Sequence, residues 1–92
     1  GTAAPDGRYP LGRLDVEVTG GVATLPSDGT LAGSTLTMDA AFRHLVRDVG
    51  LTVSEAVAAT AGHPAALLGL SGTTGALRPG LSADLVVLDA DL

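Results

Sequence analysis

Apolar and polar residues alternate over residues 14–19, Leu-Asp-Val-Glu-Val-Thr. This alternation has the period of a half-buried β-strand. Gly20 and Gly21 then suit the positive φ angles of a tight hairpin turn, so residues 22–25 are predicted to pair back as a second strand. Pro-Ser-Asp-Gly at 26–29 predicts a turn after it. A two-stranded hairpin is marginal on its own, so we expect this one to lie against another part of the protein.

A helical spacing of apolar residues begins at Met38. Apolar side chains recur at 38, 41, 42, 45, 46 and 49, which is one face of a helix, and Gly50 suits its left-handed end. A second helix is predicted to begin after Thr52, because Thr52 and Glu55 have the spacing of a capping box. We expect this helix to end at Gly62.

A short third helix is predicted at residues 65–68, since Pro64 suits a first helical position and Gly69 a helix end. This places His63 in a turn between two helices. Further along, the aliphatic run Leu85–Leu88 predicts a β-strand that is covered on both faces.

The composition limits what the chain can bury by itself. Its 92 residues make one domain at most, with 46% hydrophobic but only 2% aromatic residues and a mean hydropathy of +0.40. Burial must therefore come from small aliphatic faces. We expect these faces to pack on a larger body.

The charge balance excludes two classes of partner. The net charge is −5, from ten acidic residues against five arginines, which opposes binding to nucleic acid or to an anionic membrane. Absence of cysteine is compatible with the cytoplasm. The start of the chain, Gly1 to Pro10, is predicted to be a loop without the apolar core of a signal peptide.

Two motifs carry a resemblance to a known family. Residues 75–89, Gly-Ala-Leu-Arg-Pro-Gly-Leu-Ser-Ala-Asp-Leu-Val-Val-Leu-Asp, resemble the closing strand of the amidohydrolase superfamily. Residues 31–38, Leu-Ala-Gly-Ser-Thr-Leu-Thr-Met, resemble the stretch that follows the eighth barrel strand in N-acetylglucosamine-6-phosphate deacetylases. Residues 4–9, Ala-Pro-Asp-Gly-Arg-Tyr, and the helices agree in order, so the resemblance covers essentially the whole chain.

The resemblance implies an α/β fold. The chain is expected to be a C-terminal fragment of a metal-dependent hydrolase TIM barrel, contributing a β-hairpin and two to three helices, plus a strand of an accessory β-sandwich. Residues 1–70 would complete the barrel domain and residues 71–92 would return to the small sandwich domain.

The resemblance also implies an activity for a longer parent protein. The parent would hydrolyse the N-acetyl amide of N-acetylglucosamine 6-phosphate with a divalent metal of the zinc or iron class, in the cytoplasm and as a homodimer. The family's catalytic Asp and its metal ligands would precede Gly1. No catalytic or metal-binding residue is therefore expected in this chain, which should be inactive by itself.

One binding role does carry over to this sequence. In the family a loop that maps onto Leu31, Ala32 and Gly33 borders the sugar-phosphate substrate. A glycine lets backbone approach a ligand closely, and Leu31 can form an apolar wall beside the acetyl methyl group. Without the resemblance, an ordinary turn before a helix would be the better interpretation.

Other polar residues favour structural roles. His44 is predicted on a solvated helix surface, and His63 has no ligand partners at metal spacing. Asp84 and Asp89 would bracket the closing strand on opposite faces, with Asp84 fixing the turn after Gly80 through bonds to backbone. The hydroxyl residues Ser34, Thr35 and Thr37 have no evident histidine base.

Two alternatives stay open from the sequence. The chain could belong to another amidohydrolase, dihydroorotase-like or aminoacylase-like, because the closing motif is widely shared. It could also be a small non-catalytic interaction module. Such a module would have to cover its own aliphatic faces.

Overall fold

The computed structural model describes residues 4–92, so the first three residues of the predicted N-terminal loop lie outside the described residues. The chain divides into two compact units on either side of the boundary between Ala40 and Ala41. We call them the sheet unit, up to Ala40, and the helical unit, Ala41–Leu92. Together they give a small α/β structure.

Four antiparallel strands form one sheet in chain order. They are β1 (Gly7–Leu11), β2 (Leu14–Thr19), β3 (Val22–Thr24) and β4 (Leu31–Gly33). The predicted hairpin of β2 and β3 is confirmed: Thr19 lies opposite Val22. Gly20 and Gly21 have φ angles of 58° and 77° at its tip.

The N-terminal segment corrects the prediction of a loop. Strand β1 pairs with β2 along its whole length, from Gly7 opposite Val18 to Leu11 opposite Leu14. Glycine and proline are depleted in strands, which hid β1 in the sequence. Pro10 is tolerated because β1 is an edge strand, and N–H groups on the outer side of an edge strand have no neighbouring strand to bond.

The sheet unit has a small aliphatic core. Val16 and Val18 of β2 and Ala23 of β3 are buried. The half-buried side chains that pack against them come from the outer strands and the following turn: Tyr9, Leu25 and Ala32. Leu14 shares the alternation of Val16 and Val18 but remains 56% exposed.

The first predicted helix is confirmed. Helix α1 (Met38–His44) continues as a π-helical turn over Leu45–Val49. Gly50 ends it in the left-handed conformation with φ 87°, and its N–H donates to the carbonyl of Leu45. No residue of this stretch is fully buried.

The capping box of the second helix is also confirmed. The Thr52 hydroxyl accepts from the Glu55 N–H at 3.1 Å, and the Glu55 carboxylate accepts from the Thr52 N–H at 2.8 Å. These two bonds satisfy donors that the first helical turn would otherwise leave unpaired. Helix α2 (Val53–Val57) begins there.

The predicted helix end at Gly62 is wrong. A π-helical turn, Ala58–Gly62, joins α2 directly to α3 (His63–Leu67), and Gly62 has helical angles. His63 consequently lies in a helix rather than in a turn. A regular α-helix would bring the Pro64 ring against the carbonyl four residues earlier, and the wider π turn relieves that contact.

The helical unit is closed by small residues. Ala56 and Ala65 are buried. The loop after α3 returns to this point, where the Leu70 N–H donates to the Ala65 carbonyl at 2.7 Å. Gly75 packs so closely that a Cβ built on it would lie 2.7 Å from the Cβ of Ala65.

The predicted closing strand does not form in this chain. Residues 85–88 have no strand partner among the described residues, and Val86 and Val87 are 82% and 87% exposed. A strand requires a neighbour to accept and donate its ladder bonds.

None of the helices in residues 4–92 has the length and apolar character of a membrane span.

Candidate functional site

The candidate binding residues Leu31, Ala32 and Gly33 form strand β4, not the loop predicted for them. Ala32 packs against the core of the sheet unit. Leu31 is 72% exposed, and Gly33 is exposed with a φ of 139°. The strand therefore presents one large apolar side chain beside a glycine whose backbone has no Cβ to shield it.

The pairing of β4 is irregular. Gly33 lies opposite Ala23 and Leu31 opposite Thr24, so Ala32 lies between them without a partner on β3. Such a bulge turns a strand and interrupts its ladder of hydrogen bonds. Bulges are over-represented beside active sites, where they redirect a side chain.

A hydrogen-bonded turn leads into β4. The Leu25 N–H donates to the Thr30 carbonyl at 2.8 Å, and the Gly29 N–H donates to the Leu25 carbonyl at 2.8 Å. The Asp28 carboxylate accepts from the Thr30 N–H at 3.0 Å. Hydrogen bonds from the backbone and then the side chain of Thr30 favour the charged form and lower the pKa of Asp28.

The tip of the β2–β3 hairpin is bonded on both sides. The Asp6 carboxylate accepts from the N–H groups of Gly20 and Gly21 at 3.1 and 3.4 Å. The Thr35 hydroxyl donates to the Gly21 carbonyl at 2.6 Å. We call these three bonds the hairpin clasp. From the sequence, Asp6 had no assigned role, and Thr35 was considered only as a candidate nucleophile.

The chemistry available at β4 is binding rather than proton transfer. Asp28 is the one ionisable residue between 28 and 35, and its carboxylate is already engaged by Thr30. Ser34 uses its hydroxyl to accept from the Leu36 N–H at 3.0 Å. What remains is an apolar side chain and exposed backbone, which suits a small apolar group attached to a polar ligand.

The two histidines lie apart from β4 in the sequence, and both belong to helical segments. The His44 ring is 2.7 Å from the Asp48 carboxylate, and both side chains are more than 60% exposed, which confirms a solvated surface position. His63 is exposed on α3. Within residues 4–92, no three His, Asp or Glu side chains lie together as a metal ion would require.

The acidic residues near the C-terminus have local partners. The Thr74 hydroxyl donates to the Asp84 carboxylate at 2.8 Å, so Asp84 fixes the loop through a side chain and not through the backbone bonds predicted for it. The Asp89 carboxylate accepts from the Asp91 N–H at 2.9 Å. Each carboxylate is therefore already bonded, Asp84 to Thr74 ten residues earlier and Asp89 within its own turn.

Known proteins resemble this chain along nearly its whole length. An N-acetylgalactosamine-6-phosphate deacetylase of Escherichia coli O157:H7 is 48% identical over 88 residues, 96% of this chain and 23% of its own length. The N-acetylglucosamine-6-phosphate deacetylase of Rattus norvegicus is 45% identical over 87 residues, 95% of this chain and 21% of its own. The resemblance found in the sequence is confirmed.

Solved structures give the same result. A variant of N-acetyl-D-glucosamine-6-phosphate deacetylase from Mycobacterium smegmatis, in complex with N-acetyl-D-glucosamine-6-phosphate, matches with a TM-score of 0.79 and 42% identity, covering 98% of this chain and 24% of that one. The Thermotoga maritima deacetylase matches with a TM-score of 0.81 and 39% identity, covering 95% and 23%.

The match is to part of each relative. The chain spans 52% of the length of a related protein of Escherichia coli K12 and 21–24% of the relatives described above. The sequence profile of the amidohydrolase family matches residues 15–92, which is most of the chain. The chain therefore belongs to the amidohydrolase family.

Proposed function

We propose that this chain is the substrate-bordering part of a sugar-phosphate deacetylase. The parent enzyme would hydrolyse the N-acetyl amide of an N-acetylhexosamine 6-phosphate, giving the amino sugar phosphate and acetate. The observation that carries this proposal is the match to deacetylases over 95% or more of the chain, at 39–48% identity.

Within that enzyme, Leu31, Ala32 and Gly33 would contact the substrate. The exposed Leu31 side chain would form the wall beside the acetyl methyl group, which buries apolar surface on both partners. Gly33, with no side chain, would let its backbone approach the polar part of the amide. Ala32 would anchor this strand to the core through its half-buried methyl group.

The divalent metal of such an enzyme does not fit the residues described here. No three His, Asp or Glu side chains converge within residues 4–92. We therefore assign a metal of the zinc or iron class, and the catalytic carboxylate, to the part of the parent that this chain does not contain. By itself the chain would bind no metal and be inactive.

The remaining proposals concern the setting of the chain in its parent. Residues 1–70 would complete the barrel domain and residues 71–92 would enter a small β-sandwich, where Leu85–Leu88 would find a strand to pair with. The exposed apolar residues of these segments supply surface for such packing. We propose a cytoplasmic homodimer that binds neither nucleic acid nor membrane, consistent with the net charge of −5.

A second substrate is favoured by a specific observation. The relative from Escherichia coli O157:H7, which is 48% identical, is named an N-acetylgalactosamine-6-phosphate deacetylase. The relative from Rattus norvegicus, which is 45% identical, is named an N-acetylglucosamine-6-phosphate deacetylase. The two sugars differ in the configuration of one hydroxyl. N-acetylglucosamine 6-phosphate is the substrate we propose first, and its galactosamine epimer is the alternative.

A chimeric enzyme tests the proposal. This chain replaces the segment of the Mycobacterium smegmatis deacetylase that it matches, and release of acetate is measured with each N-acetylhexosamine 6-phosphate. We expect turnover of at least one sugar by the chimera and none by the isolated chain.

Two results would count against the proposed function. The first is a chimera that folds, judged by its melting temperature, but turns over neither substrate. The second is acetate release by the isolated chain. The host enzyme lacking the replaced segment is the matched control, because it shows whether the chain itself restores activity.

A further inference from the structure

The hairpin clasp joins both edges of the sheet to one point. Asp6 immediately precedes edge strand β1, and Thr35 lies two residues after edge strand β4. Both bond to the hairpin tip, where Gly21 donates its N–H to Asp6 and accepts at its carbonyl from Thr35. One glycine of the central hairpin therefore anchors the chain ends of the two outer strands.

Strand β4 depends on this anchor more than β1 does. Strand β1 pairs with β2 at five consecutive positions, whereas β4 has two paired residues on either side of a bulge. A ladder that short does not by itself fix where the bulged residue lies, because bulged residues leave the regular pairing. The Thr35 bond holds the chain two residues after the end of β4.

We infer that Thr35 is a positioning residue for substrate recognition. Its 2.6 Å bond to the Gly21 carbonyl sets the backbone of Leu31–Gly33 relative to the rest of the sheet, and so sets the width of the space offered to the acyl group of the substrate. Asp6 supports the same function by fixing the other side of the hairpin tip. This inference rests on the proposed function.

The test measures acyl-group selectivity in the chimeric enzyme. Thr35→Val removes the hydroxyl and keeps the size of the side chain, so β4 loses its anchor without a cavity. Small displacements of binding groups have large kinetic effects. We expect KM for the N-acetyl substrate to rise about tenfold while kcat changes by less than about twofold. We also expect the ratio of kcat/KM for an N-propionyl analogue to that for the N-acetyl substrate to rise.

Control variants separate positioning from general stability. Thr35→Ser retains a hydroxyl donor and should restore the KM and the acyl selectivity of the unsubstituted chimera. Thr19→Val makes the same chemical change at an exposed position near the same hairpin tip, and should leave both quantities unchanged. Hydrogen exchange of the Leu31–Gly33 amides should accelerate in Thr35→Val alone.

The outcomes distinguish this inference from the proposed function. An unsubstituted chimera without activity would overturn the proposed function and the inference with it. An active chimera in which Thr35→Val and Thr19→Val give the same KM and acyl selectivity would overturn the inference alone. If Thr35→Val does not fold, Asp6→Ala decides the question: a raised KM with altered selectivity supports it, and unchanged values contradict it.

Discussion

The two units of this chain differ in which side chains each can bury by itself. In the sheet unit, Val16 and Val18 are buried by side chains of neighbouring strands, and the hairpin clasp joins both edges of the sheet. Both units leave large apolar side chains exposed, but among the described residues of the helical unit only the small side chains of Ala56 and Ala65 are buried. Strand pairing can be satisfied locally, whereas amphipathic helices and a lone aliphatic strand need a surface to cover them.

Gly75 lies close against Ala65 in the helical unit, so adding a side chain at Gly75 should have the largest effect. Gly75 has a φ of 92°, and an added Cβ would lie 2.7 Å from the Ala65 Cβ. We expect Gly75→Ala to destabilise the chimeric enzyme by roughly 2–4 kcal/mol, combining backbone strain with overpacking. The midpoint of urea denaturation measures this.

Gly80→Ala is the matched control for that change. Gly80 has nearly the same φ, 91°, but an added Cβ would meet nothing within 4 Å. Gly80→Ala should therefore lower the free energy of unfolding through backbone strain alone, by about 1 kcal/mol. Equal midpoints for the two variants would show that the helical unit is not closed at this point.

The core of the sheet unit should respond next. Val16→Ala removes two methyl groups from a buried side chain, which we expect to cost about 2 kcal/mol. Val22→Ala makes the same change at a 48% exposed position of the same hairpin and should stay within about 0.5 kcal/mol. Similar denaturation midpoints for both variants would contradict a self-contained core in this unit.

A substitution at Val87 tests whether the aliphatic segment Leu85–Leu88 is covered in the parent enzyme. Its side chain is 87% exposed, so Val87→Thr should leave the circular dichroism of the isolated chain unchanged. In the chimera, where we propose that Leu85–Leu88 pairs and is covered, burying the new hydroxyl should cost about 1 kcal/mol. An unchanged melting temperature of the chimera would mean that this segment stays uncovered there.

Patterns that the chain satisfies locally were predictable from its sequence. The β2–β3 hairpin, the Thr52–Glu55 capping box and the Gly50 helix end each depend on residues within a few positions of one another. The failures were of a different kind. Gly62 was predicted to end a helix because glycine usually does, but the π turn before Pro64 carries the helix past it.

The other misses have separate causes. Strand β1 pairs with β2, the next strand along the chain, but its glycine and proline are depleted in strands and concealed that pairing in the sequence. Leu85–Leu88 has the composition of a strand, but the described chain offers it none to pair with. At the candidate site, the resemblance located Leu31–Gly33, whereas the hairpin clasp spans 14 or 15 residues and has no local signal.

The smallest predicted effect concerns the turn that leads into β4 within the sheet unit. Because hydrogen bonds from Thr30 lower the pKa of Asp28, the folded turn favours its carboxylate form. The resulting stabilisation is fully present at pH values above the ordinary pKa of 3.8 and is lost as the pH falls through the lower folded pKa. A carbon-13 NMR titration of the Asp28 carboxyl should give a midpoint below the ordinary value of 3.8.

Thr30→Val is the matched variant for this titration, because it removes the hydroxyl donor and keeps the backbone N–H that bonds to Asp28. The backbone bond is the larger of the two causes, so the midpoint should rise only part of the way to the ordinary value. A full return to that value would mean that the Thr30 side chain, and not the turn geometry of the backbone, stabilises the carboxylate. A midpoint at or above 3.8 in the unsubstituted chain would contradict the local closure of the turn that supports β4.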